Sequence, residues 1–504
     1  MPSPFSRLSP ALEPHTQLAE PSFDTKRHVT YWLRCLKTFL PNVYTANDSN
    51  RMTFAFFVVS ALDLLDCLVP HTTAAEREGY AQWIYHCQHP AGGFRAFPGT
   101  DFGDRRSAQN ECWDPANLPA TYFALATLLV LGDDLERVKR RECLAWLAKL
   151  QRPDGGFGET LVNGRIEGGS DTRFGYCATG VRWILRGTVE GPVEGVEDVN
   201  VDQFVQCVSL SETYDGGISD APFHEAHAGF TYCAISALSF VDRLPHGAKT
   251  YDQNAREDDR PLAGLSDLHA TIRWLASRQT ATLDDDDEVD TNGDETDTPS
   301  TCHDAHTFVR LRGFPSEQGE QSYKERPTSH LDLQWAGFNG RCNKLADTCY
   351  AFWVGASLDV LHKAPIASRP RSRRYLLDRT QHPAGGFAKH PGDPPDIYHS
   401  YLGLAALALM REPALKPLDA VMCVSVAARR CVDGLRWRRS IVGEGGGGRG
   451  EEGEEGKGEG VTKGTERTEG TEARGGESRP AAPSSAGTTA SASDGFAYMA
   501  ISGG

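Results

Sequence analysis

The chain has 504 residues, of which 39% are hydrophobic, and a formal net charge of −16 at pH 7. This length allows one large core or two to three ordinary domains. The chain as a whole lacks a basic nucleic-acid-binding signature, and it contains no run of 18 or more apolar residues to span a membrane. Its N-terminus has no continuous apolar stretch of the secretory type, so we expect a cytosolic protein with reduced cysteines.

Three segments have compositions typical of disorder. Residues 1–20 are rich in proline, 281–328 contain an acidic run at 284–288, and 441–504 are rich in glycine and glutamate. None of them offers enough apolar surface to offset the entropy lost on ordering. We therefore predict one folded domain over 21–440 that carries a disordered acidic insertion at 281–328.

A glycine-containing signal recurs along this predicted domain. Three copies follow a glutamine and a proline, as in Gln151-Arg152-Pro153. Because proline stops a helix and glycine permits a tight turn, each copy predicts a turn between two helices. The copies are Gly92-Gly93-Phe94, Gly155-Gly156-Phe157, Gly216-Gly217-Ile218, Gly337-Phe338 and Gly385-Gly386-Phe387.

Two kinds of predicted helix alternate around these turns. Amphipathic segments such as 136–150 and 265–278 precede most turns, whereas helices rich in small and apolar residues follow them. Helices that are apolar on most sides are buried, so we predict an all-α toroid of about six hairpins, an α/α barrel with the apolar helices inside. An open helical solenoid is the alternative. The apolar helices are predicted at 51–67, 120–131, 175–186, 229–243, 348–362 and 398–410.

Three residues at the starts of the last two apolar helices are candidate metal ligands. Asp347 and Cys349 open the fifth helix, and His399 opens the sixth. Consecutive hairpins of a ring place the starts of their inner helices at one rim, so these side chains can meet. A carboxylate, a thiolate and an imidazole with an open fourth position describe a catalytic zinc site. Each residue alone is equally compatible with ordinary core packing.

A second group of polar residues lies at the ends of the same helices. Helix N-termini already favour anions, and cations added there predict a pocket for a diphosphate. For any single member, a solvated loop charge is the alternative. The group consists of Arg173, His227, Arg341, Lys344, Tyr350 and Lys389.

Taken together, the glycine turns and the segments around these residues resemble the β subunits of the protein prenyltransferases over residues 27–280 and 330–412. The resemblance rests on GFNGRCNKLADTCYAFW, HEAHAGFTYCA, SDTRFGYCA and IYHSYLGLAAL. It implies an α/α barrel, one zinc ion and a partner α subunit. It also implies transfer of a prenyl group from a prenyl diphosphate to a C-terminal cysteine of another protein, with the lipid in the aromatic-lined interior.

The resemblance implies a role for individual residues as well. Asp347, Cys349 and His399 match the zinc ligands, and Tyr350 and Lys389 complete the catalytic set. Those that match the diphosphate-binding set are His227, Arg341, Lys344, Tyr350 and Lys389, and those assigned to the lipid and peptide pocket are Thr53, Arg173 and Phe174.

Within the family, two positions favour the type I geranylgeranyl enzymes. Thr53 stands where farnesyl enzymes carry a tryptophan that shortens the lipid pocket, and Lys389 stands where they carry an aspartate that helps to bind magnesium. Geranylgeranyl diphosphate is then the expected lipid, magnesium is not required, and the acceptors end in a CaaX motif, with X often leucine. Small GTPases of the Rho and Rac type are acceptors of this kind. Asn117 and Tyr398 depart from the type I pattern.

Several other functions stay open. A farnesyltransferase β subunit is the main alternative, and a Rab-type geranylgeranyltransferase β subunit fits the opening block poorly. A triterpene cyclase would share the ring, although its acidic motif would have to come from the low-complexity run at 284–287. From another class, the chain would be a non-catalytic ring-shaped binding module. Zinc binding and co-purification of an α subunit discriminate among these.

Overall fold

The computed structural model describes residues 20–438 apart from 39, 41–43, 45–46, 189–191, 194, 246–262 and 282–333. The segments predicted to be disordered, 1–20, 281–328 and 441–504, therefore lie outside the described residues except for their single positions 20 and 281. Within the described part of the chain, no helix is long and apolar enough to span a membrane.

Six buried helices form an inner ring. Each contacts the next, and the sixth returns to the first, so the ring is closed. The predicted toroid is confirmed, and the open solenoid is wrong. The inner helices are α2 (Arg51–Leu64), α5 (Leu118–Val130), α7 (Thr172–Arg186), α9 (Ala228–Phe240), α11 (Thr348–Val360) and α13 (Ile397–Leu409).

Several of the outer helices are amphipathic, as their sequences predict. In α8, for example, Val201, Phe204, Val205 and Val208 are buried at helical spacing while the other face is polar. The outer helices are α1 (Thr25–Lys37), α4 (Ala74–His86), α6 (Arg140–Lys149), α8 (Val201–Leu210), α10 (Leu268–Ala276) and α12 (Arg369–Arg374), the last continuing as a π-helical turn over Tyr375–Thr380. Two more helices, α3 (Leu68–His71) and α14 (Val426–Asp433), lie outside this alternation.

Four short antiparallel ladders accompany the helices. Each consists of two paired strands. The strands are β1 (Thr160–Val162) with β2 (Arg165–Glu167), β3 (Gln279–Thr280) with β4 (Gly337–Phe338), β5 (Phe387–Ala388) with β6 (Pro395–Asp396), and β7 (Leu418–Asp419) with β8 (Val424–Ser425).

The glycine turns join each hairpin to the next outer helix. Gly155 has a φ of +90°, and a Cβ there would lie 2.1 Å from the carbonyl oxygen of Gln203 in α8. Gly385 has a φ of +86°, and its Cβ would lie 2.2 Å from the carbonyl oxygen of Arg27 in α1. Only glycine tolerates both the backbone conformation and the close approach. Because the last turn packs on the first helix, the same contact that links neighbours also closes the ring.

The glutamine before three of these turns strengthens this link. Gln151 accepts a hydrogen bond from the backbone N–H of Asn200 at 2.7 Å and donates one to its carbonyl at 2.8 Å. Gln381 accepts from the N–H of Asp24 at 3.1 Å, just before α1. These side chains satisfy backbone groups that the start of an outer helix leaves unpaired.

The two ends of the inner ring differ. At the N-terminal ends, side chains accept hydrogen bonds from the first turn of five inner helices, which stabilises those helix starts. We call this end the rim. The capping residues are Asn117, Asp171, His227, Asp347 and Asp396.

Residues 418–425, the closing segment, fill the ring from the opposite end. Just before it, the N–H of Lys416 donates to the carbonyl of Leu64, the last residue of α2, at 2.8 Å. Tyrosines from four inner helices then donate to successive carbonyls of the segment. Each hydrogen bond runs from a tyrosine hydroxyl to a backbone carbonyl, and three of the four are 2.9 Å long. The pairs are Tyr232 with Ala420, Tyr176 with Val421, Tyr122 with Met422 and Tyr401 with Cys423.

Candidate metal centre and its surroundings

The structure brings Asp347, Cys349 and His399 together at the rim. Asp347 is the N-cap of α11, Cys349 lies in its first turn, and His399 lies in the first turn of the neighbouring helix α13. One ligand atom from each residue lies within 4.8 Å of the others, and all three residues are buried. No other such group of three occurs among the described residues. Ring closure therefore places side chains from distant parts of the sequence in one cluster.

Hydrogen bonds hold two of these side chains in place. The Asp347 carboxylate accepts from the N–H of Cys349 at 2.8 Å. Asp396 contacts His399 twice, since Oδ1 accepts from its backbone N–H at 2.8 Å and Oδ2 lies 2.6 Å from Nδ1. A carboxylate on one imidazole nitrogen directs the other nitrogen toward a metal. Asp396 was not among the predicted site residues, although an aspartate three positions before a histidine at a helix start is a recognisable capping pattern.

The charges of this cluster favour a cation. Burial raises the pKa of the Asp347 carboxyl, but the charge of the nearby His399 and the hydrogen bond from the backbone N–H of Cys349 outweigh it and lower the pKa to about 2. Burial likewise lowers the pKa of His399, but Asp347 and Asp396 hold it well above its usual range. Burial and the Asp347 charge raise the pKa of the Cys349 thiol to about 12. The two carboxylates thus create a negative potential that stabilises positive charge at this point.

The cluster also contains a buried nitrogen with no hydrogen bond. His399 Nε2 has no partner of adequate geometry among the described residues, although Asp347 Oδ1 lies 3.3 Å away. Buried polar atoms are normally satisfied, so an orphaned one requires an explanation. A metal ion is one, because the donor set of oxygen, sulfur and nitrogen fits zinc with three protein ligands.

A histidine–tyrosine pair adjoins the cluster. His227 Nδ1 accepts from the N–H of Gly229 at 3.0 Å, and Nε2 lies 3.0 Å from the hydroxyl of Tyr350. The sequence places His227 among the residues of a diphosphate pocket, and its surroundings determine its protonation state. Burial and the charges of Arg341 and Arg173 lower its pKa to about 3, so the ring is neutral. Its Nε2–H therefore donates to Tyr350 and orients that hydroxyl.

Three of the predicted cations surround the start of α11. Arg341 is half-buried and pairs with Glu225 at 3.4 Å, a partner that sequence patterns do not reveal. Lys344 is exposed in the loop before Asp347. Lys389 follows β5, and its carbonyl accepts from the N–H of Thr348 at 3.1 Å, in the first turn of α11. All three lie on segments that contact this helix start.

The remaining predicted residues lie on neighbouring inner helices. Arg173 forms a two-point ion pair with Asp171, at 2.8 and 2.7 Å, and its guanidinium lies 5.3 Å from the ring centroid of Phe230. Phe174 is buried against the preceding loop, where a Cβ on Gly169 would lie 2.4 Å from its ring. Thr53 is buried in the first turn of α2.

The interior of the ring is aromatic, as predicted. Phe56 packs on Phe123 with ring centroids 4.8 Å apart, and Phe57 packs on Tyr401 at 5.2 Å. Thr53 lies one helical turn before the two phenylalanines, on the same face of α2. Its small side chain therefore stands above the aromatic wall, on the side of the rim.

The fold and this site define a class of protein. The model of the prenyltransferase alpha-alpha toroid domain matches residues 23–424, and the chain belongs to that family. The resemblance to prenyltransferase β subunits is therefore confirmed.

Individual relatives narrow the comparison. The chain is 28% identical over 415 residues to the geranylgeranyl transferase type-1 subunit beta of Arabidopsis thaliana, covering 79% of this chain and 88% of the relative. It is 25% identical over 408 residues to the subunit of the same name from Dictyostelium discoideum, covering 77% and 91%. The farnesyltransferase subunit beta of Schizosaccharomyces pombe is 25% identical over 406 residues, covering 77% and 79%.

A solved structure has the same fold. Candida albicans protein geranylgeranyltransferase-I complexed with GGPP superposes with a TM-score of 0.61 at 24% identity, covering 82% of this chain and 99% of that chain.

Proposed function

We propose that the chain is the catalytic β subunit of a protein geranylgeranyltransferase type I, working with an α subunit. It would transfer a geranylgeranyl group from geranylgeranyl diphosphate to the cysteine of a C-terminal CaaX motif. The observation that carries this proposal is the convergence of Asp347, Cys349 and His399 beside Tyr350 at the rim of an aromatic-lined ring. Type-1 β subunits among its relatives support the choice.

Asp347, Cys349 and His399 would hold zinc. When bound, the ion supplies Lewis-acid activation of the acceptor thiol at neutral pH. Asp396 fixes the orientation of His399 through its 2.6 Å contact with Nδ1. Burial of all three ligands excludes competing water from the protein side of the site.

The leaving diphosphate gains negative charge as the bond to the lipid breaks. Arg341, Lys344 and Lys389 would stabilise that charge, and the neutral imidazole of His227 would orient the hydroxyl of Tyr350 toward it. Because the ammonium of Lys389 would take the place of a metal ion at the diphosphate, we propose that magnesium is not required. A matched test compares activity in EDTA-treated, zinc-reloaded enzyme with and without magnesium, and a magnesium requirement would contradict this role.

The small side chain of Thr53 supports the proposal that the lipid is geranylgeranyl rather than farnesyl diphosphate. This side chain lies one turn above Phe56 and Phe57 on the ring interior, where a tryptophan would occupy the path of a fourth isoprene unit. Thr53→Trp should therefore shift the choice from geranylgeranyl towards farnesyl diphosphate in a competition assay. Thr53→Ser is the matched control and should leave the preference unchanged. Equal preference in both variants would remove Thr53 from the argument.

The decisive experiment is co-expression with an α subunit, followed by labelling of peptides that end in leucine, serine or methionine with both lipids. Geranylgeranyl transfer to the leucine peptide supports type I. Farnesyl transfer to the serine or methionine peptide would support the alternative, a farnesyltransferase β subunit, the class of the relative from Schizosaccharomyces pombe at 25% identity. Zinc-free protein with no transfer would leave a ring-shaped binding module.

A further inference from the structure

Arg278 is a buried cation without a counter-charge among the described residues. It follows α10, is 5% exposed, and its guanidinium lies 4.8 Å from the ring centroid of Trp274. Its Nη2 donates to Ser277 Oγ at 3.1 Å and lies 3.2 Å from the sulfur of Cys342. Its Nε and Nη1 are buried and have no hydrogen-bond partner in the described part of the chain. An unpaired buried charge is costly, so this guanidinium would bind an anion favourably.

Cys342 is an exposed thiol in contact with that guanidinium. Among the cysteines that the structure describes, it and Cys431 are the two classified as exposed. It lies in the loop from Asn339 to Lys344, beside the Arg278 guanidinium, and the preceding residue of that loop is Arg341. Partly exposed thiols in electropositive surroundings are those that oxidants select.

The same loop is tightly coupled to the proposed diphosphate site. The carbonyl of Gly340 accepts from the N–H of Ala228 at 2.9 Å, at the start of α9. A Cβ on Gly340 would lie 2.1 Å from the ring of Tyr350, so the loop rests directly on that residue. A new charge on Cys342 would therefore act on Arg341 and Tyr350 at once.

We propose that Cys342 is a peroxide-sensitive regulatory thiol and that Arg278 stabilises its oxidised form. The Cys342 sulfur attacks one oxygen of hydrogen peroxide, the S–O bond forms, the O–O bond breaks and water leaves. The sulfur loses two electrons to the peroxide and becomes a sulfenic acid, which a thiol reductant restores. A second equivalent of peroxide gives the sulfinic acid, an anion that supplies Arg278 with its missing partner.

The consequence for activity rests on the proposed function. The negative charge of the sulfinic acid, on the loop that carries Arg341, weakens the attraction of this loop for a diphosphate. We therefore expect oxidation to reduce binding of the lipid diphosphate about tenfold, the size of a single lost charge contact. Zinc content should not change, because Cys342 is not one of the three proposed ligands.

The test treats the full chain, co-purified with an α subunit, with hydrogen peroxide and follows both exposed thiols by mass spectrometry. Cys431 is the internal control, since it lies on α14, donates to the carbonyl of Ala427 and stands near the charge of Asp63. We expect Cys342 to oxidise about tenfold faster than Cys431. Equal rates at the two sites would overturn the proposal.

Variants separate the parts of the proposal. Arg278→Met should slow oxidation of Cys342 to the rate of Cys431, whereas Arg278→Lys keeps the charge and should retain most of the difference. Cys342→Ser should make lipid diphosphate binding insensitive to peroxide, and Cys431→Ser should leave the sensitivity intact. If Arg278→Met does not fold, two other results still test the proposal. They are the oxidation rate of Cys342 in Arg278→Lys and the peroxide sensitivity of lipid diphosphate binding in Cys342→Ser.

The outcomes also distinguish this proposal from the function on which it rests. Oxidation of Cys342 is read directly by mass, so it stands even if no peptide is prenylated. Selective oxidation that leaves binding of the lipid diphosphate unchanged would overturn the regulatory role while the proposed transferase activity remains.

Discussion

The rim and the interior of the inner ring use the same helices in opposite ways. In the interior, which the closing segment fills, four tyrosine hydroxyls donate to four successive carbonyls, so the polar groups are paired. At the rim, His399 Nε2 is buried without a hydrogen bond, and the pKa values of Asp347 and His399 are displaced in opposite directions by their mutual attraction.

This difference teaches where the molecule is stabilised and where it is prepared for chemistry. Paired hydrogen bonds around an aromatic interior contribute to stability. Unpaired buried donors and displaced pKa values reduce stability unless a ligand satisfies them, and they mark functional sites. Substitutions at the rim should therefore change metal binding and activity. Equivalent substitutions in the closing segment, or in the tyrosines that contact it, should change stability alone.

The largest expected effect is at Cys349. Cys349→Ala removes one of three proposed ligands, so bound zinc should fall to a small fraction of that in the unmodified protein. Activity should fall at least about 10³-fold, the upper range for loss of one electrostatic contribution. Cys423→Ala, in the closing segment, is the matched control and should keep both the bound zinc and the activity. Metal analysis and peptide labelling measure the outcome, and a Cys349→Ala protein with full zinc would refute the assignment.

Arg341 should have the next largest effect. Arg341→Ala removes a cation proposed to stabilise the leaving diphosphate, and we expect kcat to fall about 10²-fold with zinc content unchanged. Arg411→Ala, an exposed arginine just beyond α13 at the other end of that helix, is the control. Steady-state kinetics provide the measurement. A normal kcat with a raised KM would show instead that Arg341 contributes only to ground-state binding.

A substitution of Asp396 should weaken the affinity for zinc rather than act directly on the transfer step. Asp396→Asn keeps an oxygen to cap α13 but removes the charge on His399, and zinc affinity should weaken about 10- to 100-fold. Competition with a chelator measures this directly. Asp419→Asn, where the carboxylate likewise accepts backbone N–H groups in the closing segment, should leave zinc affinity unchanged. Equal zinc affinity in the Asp396 variant would exclude its role in orienting the imidazole.

Tyr232 should have the smallest effect, and on stability only. Tyr232→Phe removes the donor to Ala420 and should lower the free energy of unfolding by about 1 kcal/mol, with zinc content and kcat preserved. Tyr214→Phe, on a fully exposed side chain, is the control and should change nothing. Denaturant unfolding measures the difference. A loss of zinc in Tyr232→Phe would contradict the claim that the tyrosines around the closing segment contribute to stability alone.

Residue identity alone specified the repeat. The Gly-Gly turns, the glutamines before them and the alternation of apolar with amphipathic helices depend on local backbone preferences and hydrophobic periodicity, which act over short stretches of chain. They were sufficient to predict the alternation of inner and outer helices and to place Asp347, Cys349 and His399 at helix starts. The choice of a closed ring over an open solenoid rested mainly on the resemblance to prenyltransferase β subunits. Tyr176, Tyr232 and Tyr401, each at the fifth position of its inner helix, were visible only as aromatic lining.

Tertiary structure decided which partner each of these side chains meets. The sequence does not show that the tyrosine hydroxyls bond the closing segment, because residues 420–423 follow Tyr122 by about 300 positions. Nor does it show that His227 is neutral, since burial and the nearby arginines determine that pKa. Hydrogen bonding and electrostatics depend on distances in space, and those distances exist only once the last glycine turn has packed against the first helix.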